Sequence, residues 1–221
     1  MPSFGQIFPP NKFRHALKHL QGVRRPRILD IGCGNKSPSI TKHWFPDSEY
    51  HGVDIVENYN ISVEDKKAID RFIKVTIEGG GYDQIEDSSY DLLIMSHVIE
   101  HMNDPMPTLQ MLVRKIRPGG MIYLAFPSER TLGLPNAIDS LHFSDDSTHI
   151  FLPSVRDCVN LLLGNQFRIV FGGTSRNPAR WIIGLCLAPV RLTRKLLTGK
   201  MSARGLWYFY GFESSVVAVK R

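Results

Sequence analysis

Cysteine is scarce in this chain. The three cysteines, Cys33, Cys158 and Cys186, are too few and too widely spaced for a disulfide framework or a zinc cluster. A reducing compartment, most simply the cytoplasm, is therefore expected. The apolar stretch "WIIGLCLAPV" (181–190) falls well short of the roughly 20 residues that span a bilayer. The N-terminal "MPSFGQIFPPNKFRHALKHL" carries prolines and no apolar h-region, so no secretory signal is expected there. Internal repeats are lacking, which excludes solenoids and propellers. Acidic residues are missing between Cys158 and Phe212, where eight basic ones stand: Arg168, Arg176, Arg180, Arg191, Arg194, Lys195, Lys200 and Arg204. The remaining chain holds 19 basic and 21 acidic residues, so the whole net charge of +6 originates in that one stretch. With 43% hydrophobic and 22% charged residues over 221 positions, the composition suits one globular domain and excludes disordered and fibrous classes.

What is present is a regular alternation of short apolar runs and helical patterns. "PRILDIG" (26–32), "YHGVDIV" (50–56), "RFIKVTI" (71–77), "YDLLIMS" (90–96) and "MIYLAFP" (121–127) read as strands. The fourth is continuously apolar, as a parallel strand buried on both faces should be. The turn "RPGG" opens the fifth, and Pro127 stops it. "PMPTLQMLVRKI" (105–116) places Met106, Leu109, Leu112 or Val113, and Ile116 on one helical face. "LPSVRDCVNLLLGNQF" (152–167) does the same with Val155, Val159 and Leu162; Pro153 sits near its first turn and Gly164 is the expected stop. "FRIVFGG" (167–173) and "SSVVAVK" (214–220) complete the strands. The expected fold is α/β: a doubly wound, mostly parallel seven-stranded sheet with helices on both faces. One domain, 1–221, divides into an N-terminal helical extension (1–25), a core (26–175), a basic and apolar helical insertion (176–212) and a last strand (213–221).

Two strings carry chemistry. "HVIEH" (97–101) fits the zinc-peptidase pattern H-x-x-E-H, in which two histidines hold the metal and the glutamate activates water. It directly follows a buried strand, and Asn103, Asp104 and Pro105 soon end any helix there. No third ligand stands downstream at a recognisable spacing, so no metal site is expected. The second string, "ILDIGCGNKS" (28–37), runs a strand into Gly32-Cys33-Gly34, where missing side chains let the backbone turn tightly and approach a ligand. A dinucleotide fingerprint would want glycine where Ser37 stands, and the Asp30 carboxylate would repel a pyrophosphate. A cationic ligand reverses that logic. Asp30 attracts positive charge, directly or through water, and Asp54 at the end of the second strand can accept both hydroxyls of a ribose. Either acid alone is equally a turn cap; together they favour a ribonucleoside that carries positive charge.

At these residues the chain resembles the class I S-adenosylmethionine-dependent methyltransferases, in the branch acting on small molecules and glycans. "ILDIGCG" is similar to that family's first motif and "GVDI" (52–55) to its ribose motif. "SSYDLLIMSHVIEHMNDP" (88–105) resembles its fourth-strand block, "IRPGGMIYLAFP" (116–127) its fifth, and "THIFLPSVRDCVNLLLGNQF" (148–167) the block before its sixth strand. The resemblance implies a Rossmann-like fold, S-adenosyl-L-methionine as cofactor, and a pocket lined by Asp30, Gly32, Cys33, Gly34, Asp54, Ile55, Ser96 and His97. Glu100 and His101 then shape the acceptor side or simply pack. The family usually places an acid near the adenine amine after the third strand. Glu78 and Asp83 compete for that role in "IEGGGYDQIEDSSYD" (77–91), with Glu78 the first choice.

Methyl transfer from a sulfonium mainly needs alignment and exclusion of water, and an oxygen acceptor of high pKa also needs a base. The segment "NAIDSLHFSDDSTHIFLP" (136–153) offers His149 first and His142 second as that base; the alternative is a solvated loop capped by Asp145 and Asp146. In "VRLTRKLL" (190–197), wound as a helix, Arg191, Arg194 and Lys195 share one arc, and Val190, Leu192, Leu196 and Leu197 the other. Trp207, Tyr208, Phe209 and Tyr210 follow. Two readings stand open: peripheral contact of 180–210 with an anionic membrane or a lipid-linked acceptor, or a helical pair packed over the sheet edge. The expected partner is a small-molecule acceptor, a sugar or a lipid-linked glycan. Nucleic acid is disfavoured because the basic residues interleave with long aliphatics and no RNA-binding module is recognisable. An RNA methyltransferase, a non-catalytic cofactor-binding scaffold and a nicotinamide enzyme are the rivals.

Overall fold

The computed structural model of the chain describes residues 9–57, 60–76, 80–134, 142–175, 182, 185–190, 193, 197 and 211–221. Strands β1 (Arg27–Ile31), β2 (Glu49–Asp54), β3 (Arg71–Lys74), β4 (Tyr90–Ser96), β5 (Ile116–Pro127), β6 (Phe167–Thr174) and β7 (Glu213–Lys220) pair into one sheet. Their order is β3-β2-β1-β4-β5-β7-β6, so the chain reverses its direction of travel between β1 and β4. The first five strands run parallel, and β7 runs antiparallel to both its neighbours. Helices α1 (Asn11–His19), α2 (Ser37–Trp44), α3 (Val63–Ala68), α4 (Pro105–Lys115) and α5 (Val155–Gly164) are laid between and over them. This is the expected doubly wound architecture, whose ligand crevice opens at the carboxyl ends of β1 and β4, where the order switches.

The strand pattern explains why the sheet buries both faces. Alternate residues of one strand point to opposite sides. Leu93 and Met95 of β4 join Leu29, Ile31, Ile122 and Leu124 in a core closed by Leu109 and Leu112 of α4 and Leu162 of α5. Leu92 and Ile94 of the same strand join Ile28, Tyr50 and Tyr123 in a second core closed by Phe13 and Ala16 of α1. A continuous apolar run is therefore what β4 requires.

Local boundaries differ from expectation where backbone chemistry overrides pattern. The "RPGG" stretch lies inside β5 rather than before it. Pairing holds at Tyr90↔Ile116 and resumes at Leu92↔Met121, with the irregularity absorbed by Gly119 at φ 79°. Helix α5 is shorter than 152–167: the Ser154 side chain caps it by accepting the Arg156 N–H at 3.1 Å, which leaves Pro153 outside. Gly164 is the last helical residue, and the left-handed stop falls on Gln166 at φ 65°. Helices α2 and α3 have no counterpart among the expected elements. The α3 capping box ties the two together, because Asp65 accepts N–H groups from both Ser62 and Ser39. Of the insertion, residues 185–190 are helical, and Ile182, Leu185, Leu187, Val190 and Leu197 are exposed. Arg191, Arg194, Lys195 and the aromatic cluster at 207–210 lie outside the described residues. Among the described residues no helix is long and apolar enough to cross a membrane.

Candidate functional site

The glycine bend sits where β1 ends. Gly32 has φ 73° and its N–H donates to the Val53 carbonyl at 2.8 Å, which ties the bend to β2. A Cβ on Gly32 would collide with Cγ2 of Val98, so the residue must be glycine on two counts. Cys33 is fully buried and packs on Gly52 of the "GVDI" string, where a Cβ would lie 2.7 Å from the sulfur. Burial first, then the neighbouring Asp30 and Asp54 carboxylates, push its thiol up to about 12, so Cys33 stays a neutral spacer. Both carboxylates thus raise the pKa of the same thiol.

Their surroundings differ. Asp30 is almost wholly buried and accepts from Tyr50 Oη at 2.7 Å and from the Ser37 hydroxyl, with Lys12 Nζ of α1 at 3.9 Å. Burial holds the Lys12 ammonium below its ordinary pKa while Asp30 opposes that shift. The Asp30 charge is therefore met from within the chain, beneath the glycine bend. Asp54 is partly exposed at the end of β2, and its Oδ1 accepts the Ile55 N–H at 2.8 Å. Burial raises its pKa, and the Ile55 and Val56 N–H groups oppose that rise. Beyond it Ile55 is 46% exposed, an apolar face beside a carboxylate at the crevice rim. Gly34 is buried at the bend, and Ser96 is partly exposed at the end of β4. Glu78 lies outside the described residues; its competitor Asp83 is exposed on the single turn Tyr82–Gln84. Tyr82 beside it is buried, and burial with the nearby Asp54 charge pushes its hydroxyl up to about 12.

"HVIEH" forms a bend and a single 3₁₀ turn, Ile99–His101, rather than a zinc-binding α-helix. His97 adopts φ 55°, an unfavourable conformation for a residue with a Cβ, immediately beyond β4. Its Nδ1 lies 3.1 Å from Glu100 Oε1 and its Nε2 3.2 Å from Glu213 Oε2, and the ring stacks on Phe212. Burial disfavours the charged ring, but the bonds to the two carboxylates outweigh it and hold His97 up at about 9. Both ring nitrogens then donate, one to each carboxyl group. Glu213 is the residue that sequence reasoning missed. Its one signal is positional: it is the first acid after the acid-free stretch ending at Phe212.

His149 and His142, the two expected bases, make different contacts. His142 Nδ1 accepts the Ser144 N–H at 3.1 Å and caps the turn Phe143–Asp145. His149 is turned toward the 3₁₀ turn of "HVIEH", its ring centroid 4.9 Å from that of His101. The Glu100 carbonyl accepts the N–H groups of Ile150 at 3.0 Å and Phe151 at 3.1 Å, which holds the loop against the end of β4. A cavity of about 180 Å³ lies on the other face, between α1 and the β5–β7–β6 side, with Asn11, His15, Tyr123, Phe171 and Ser175 in its lining. It is not the glycine crevice, but it adjoins Glu213: the Ser175 N–H donates to the Glu213 carbonyl at 2.8 Å.

Comparison with known proteins gives these residues a setting. Residues 8–170 match the family described as "Methyltransferase domain". A ubiquinone biosynthesis O-methyltransferase of Hydrogenovibrio crunogenus is 25% identical over 128 residues, 55% of this chain and 52% of that protein. A demethylmenaquinone methyltransferase of Staphylococcus aureus is 28% identical over 126 residues, again 55% of this chain and 52% of the relative. The chain thus spans about half the length of the curated relatives it matches. Among solved structures, an S-adenosylmethionine-dependent methyltransferase from Mesorhizobium loti superposes with a TM-score of 0.63 at 16% identity, covering 95% of this chain and 98% of that one. At that identity the likeness speaks for the fold alone.

Proposed function

The chain belongs to the methyltransferase domain family, in its class I S-adenosylmethionine-dependent form, and from that premise we propose that it methylates an oxygen of a small-molecule acceptor. When bound, S-adenosylmethionine supplies a methyl group on a positively charged sulfur. The residues of this chain fit that donor. The bend at Gly32 has no room for a Cβ, and Asp54 is partly exposed where a ribose diol can donate to it. Ile55 offers an apolar wall beside it, and Cys33 fills the floor without charge.

The observation that carries the oxygen reading is the pair of carboxylates around His97, beyond the end of β4. A hydroxyl at the end of β4 can approach the partly exposed His97 ring and Glu213 carboxylate, while Glu100 lies fully buried behind them and orients the ring. Asp30 acts further back: it fixes Tyr50, Ser37 and Lys12 under the bend. The name of the ubiquinone biosynthesis O-methyltransferase and the exposed apolar residues Ile182, Leu185, Leu187 and Val190 support a hydroxylated ring on an apolar carrier. Sugars and lipid-linked glycans are the competing acceptors.

Calorimetry with S-adenosylmethionine, S-adenosylhomocysteine and NAD tests the donor, and radiolabelled methyl transfer to prenylated phenols and to lipid-linked sugars tests the acceptor. The adenosyl ligands bind and NAD does not. Asp54→Ala weakens both adenosyl ligands by about 10- to 100-fold, the loss of a charge-assisted hydrogen bond. Binding of NAD alone, or an Asp54→Ala protein with unchanged affinity, overturns the donor assignment. Transfer to sugars but not phenols overturns the acceptor.

A further inference from the structure

We infer that Glu100, His101 and His149 form a binding site for one first-row divalent metal ion at the carboxyl end of β4. The side-chain ligand atoms of these three residues all lie within 4.8 Å of one another, so small side-chain shifts bring them to the roughly 3–4 Å separations of ligands on one ion. The hydrogen bonds around them select the tautomers a metal requires. His149 Nδ1 is 2.7 Å from the Phe143 carbonyl oxygen, and a carbonyl only accepts. His101 Nδ1 is 3.2 Å from the Thr148 carbonyl oxygen and 2.9 Å from the Thr148 hydroxyl, whose own proton goes to Asp146. Each Nδ1 therefore carries the proton, and each Nε2 keeps its lone pair. Backbone carbonyls that fix a ligand histidine in this way are the usual outer partners of metal-bound imidazoles.

Glu100 supplies the independent observation. The residue is fully buried; Oε1 accepts from His97, and Oε2 is a buried oxygen with no hydrogen-bond partner. A buried carboxyl oxygen without a partner is costly unless a donor or a cation meets it. Asp146 Oδ2, 3.8 Å from His149 Nε2, adds negative charge at the rim. The site is also held in place before any ion arrives, because Ile150 and Phe151 donate to the Glu100 carbonyl.

The sequence pattern H-x-x-E-H assigned metal binding to His97 and His101, and water activation to Glu100. The folded chain redistributes these roles. His97 is occupied by two carboxylates, the glutamate becomes a ligand, and the third ligand is His149 from a loop beyond β5. The sequence pattern offered no third ligand; in the proposed site one comes from that loop. Two imidazoles and one carboxylate favour zinc, manganese, iron or cobalt over calcium and magnesium, and three protein ligands leave positions open. That an ion would there hold an acceptor oxygen rests on the methyltransferase reading above; the ion-binding site itself does not.

The test is calorimetry of the full chain, dialysed against chelator, with ZnCl₂, MnCl₂, CoCl₂ and MgCl₂, and the visible absorption of the cobalt-loaded protein. One zinc or cobalt ion binds per chain, magnesium binds far more weakly, and cobalt shows the absorption bands of imidazole coordination. His149→Ala and Glu100→Gln each weaken binding by about 100-fold or more. His19→Ala, whose ring contacts Gly119 at the opposite end of the sheet, leaves binding unchanged. Circular dichroism verifies that each variant folds. If Glu100→Gln does not fold, His149→Ala alone decides, since it alters a loop residue. Absence of stoichiometric binding, or wild-type affinity in His149→Ala, overturns the site. A chain that binds S-adenosylmethionine but no ion refutes this inference alone; one that binds the ion but no adenosyl ligand refutes the donor reading alone.

Discussion

Gly52 and Cys33 touch across the first two parallel strands, and their coupling measures how tightly the glycine bend is joined to the strand that carries Asp54. A Cβ built on Gly52 lies 2.7 Å from Cys33 Sγ, 3.1 Å from Cys33 Cβ and 3.5 Å from Tyr50 Cε1. Comfortable contact needs about 3.5–4.0 Å, so the overlap with sulfur approaches 1 Å. Cys33 and Tyr50 are both fully buried, and neither can swing into solvent. Gly52→Ala therefore destabilises by about 1–3 kcal/mol through overpacking, less about 0.4–1 kcal/mol regained because alanine restricts the unfolded chain. Cys33→Ala removes one buried sulfur and destabilises by about 1 kcal/mol. In the double variant the sulfur overlap is gone, and the remaining 3.1 Å contact asks for a shift of a few tenths of an ångström. The pair then loses less than the sum of the singles, by about 1 kcal/mol or more. Urea unfolding of the four proteins measures this, and calorimetry with S-adenosylhomocysteine follows the same pattern if the shift reaches Asp54. Strictly additive stabilities, or a neutral Gly52→Ala, would refute the packing argument.

Two further outcomes follow from buried acids. Asp65 is fully buried, which disfavours its charge, yet bonds from Ser39 and Ser62 outweigh burial and hold its carboxyl below the usual 3.8. Its contribution is complete above pH 3.8 and disappears as pH falls through the lower folded value. Asp65→Asn thus loses about 1–2 kcal/mol at neutral pH and shows a flatter acid limb in circular-dichroism titration; an unchanged limb contradicts the assignment. Glu213→Ala leaves His97 with one carboxylate and destabilises by about 2 kcal/mol, below the range for wholly buried pairs because the imidazole side chain is 27% exposed. Glu213→Gln keeps a hydrogen-bond acceptor and loses less, and equal losses in the two variants would show that only packing matters.

Much of this protein was legible because its signals are local. β4 runs over 90–96 in both the expectation and the structure, since a strand buried on both faces must be apolar throughout. The bend at Gly32 and the position of Asp54 were readable because a glycine turn after one strand and an acid closing the next are short-range features. Element ends were less readable. Gln166 rather than Gly164 takes the left-handed position after α5, and "RPGG" becomes an irregularity inside β5, because hydrogen bonds to Tyr90 and Leu92 pull both flanks into the sheet.

The sequence by itself determined the layered α/β fold, the bend and the acid that closes β2, since periodicity and turn chemistry act over a few neighbouring residues. Only the tertiary structure decided what His97, Glu100, His149 and Glu213 lie against. His97 and Glu213 lie 116 positions apart and meet because β7 pairs antiparallel with β5, which returns Glu213 beside Pro127 at the carboxyl end of the sheet. His101 and Thr148 lie 47 positions apart and meet because the Glu100 carbonyl takes two N–H groups from the returning loop. Strand register and loop docking minimise the free energy of the whole chain, and no five-residue string records them.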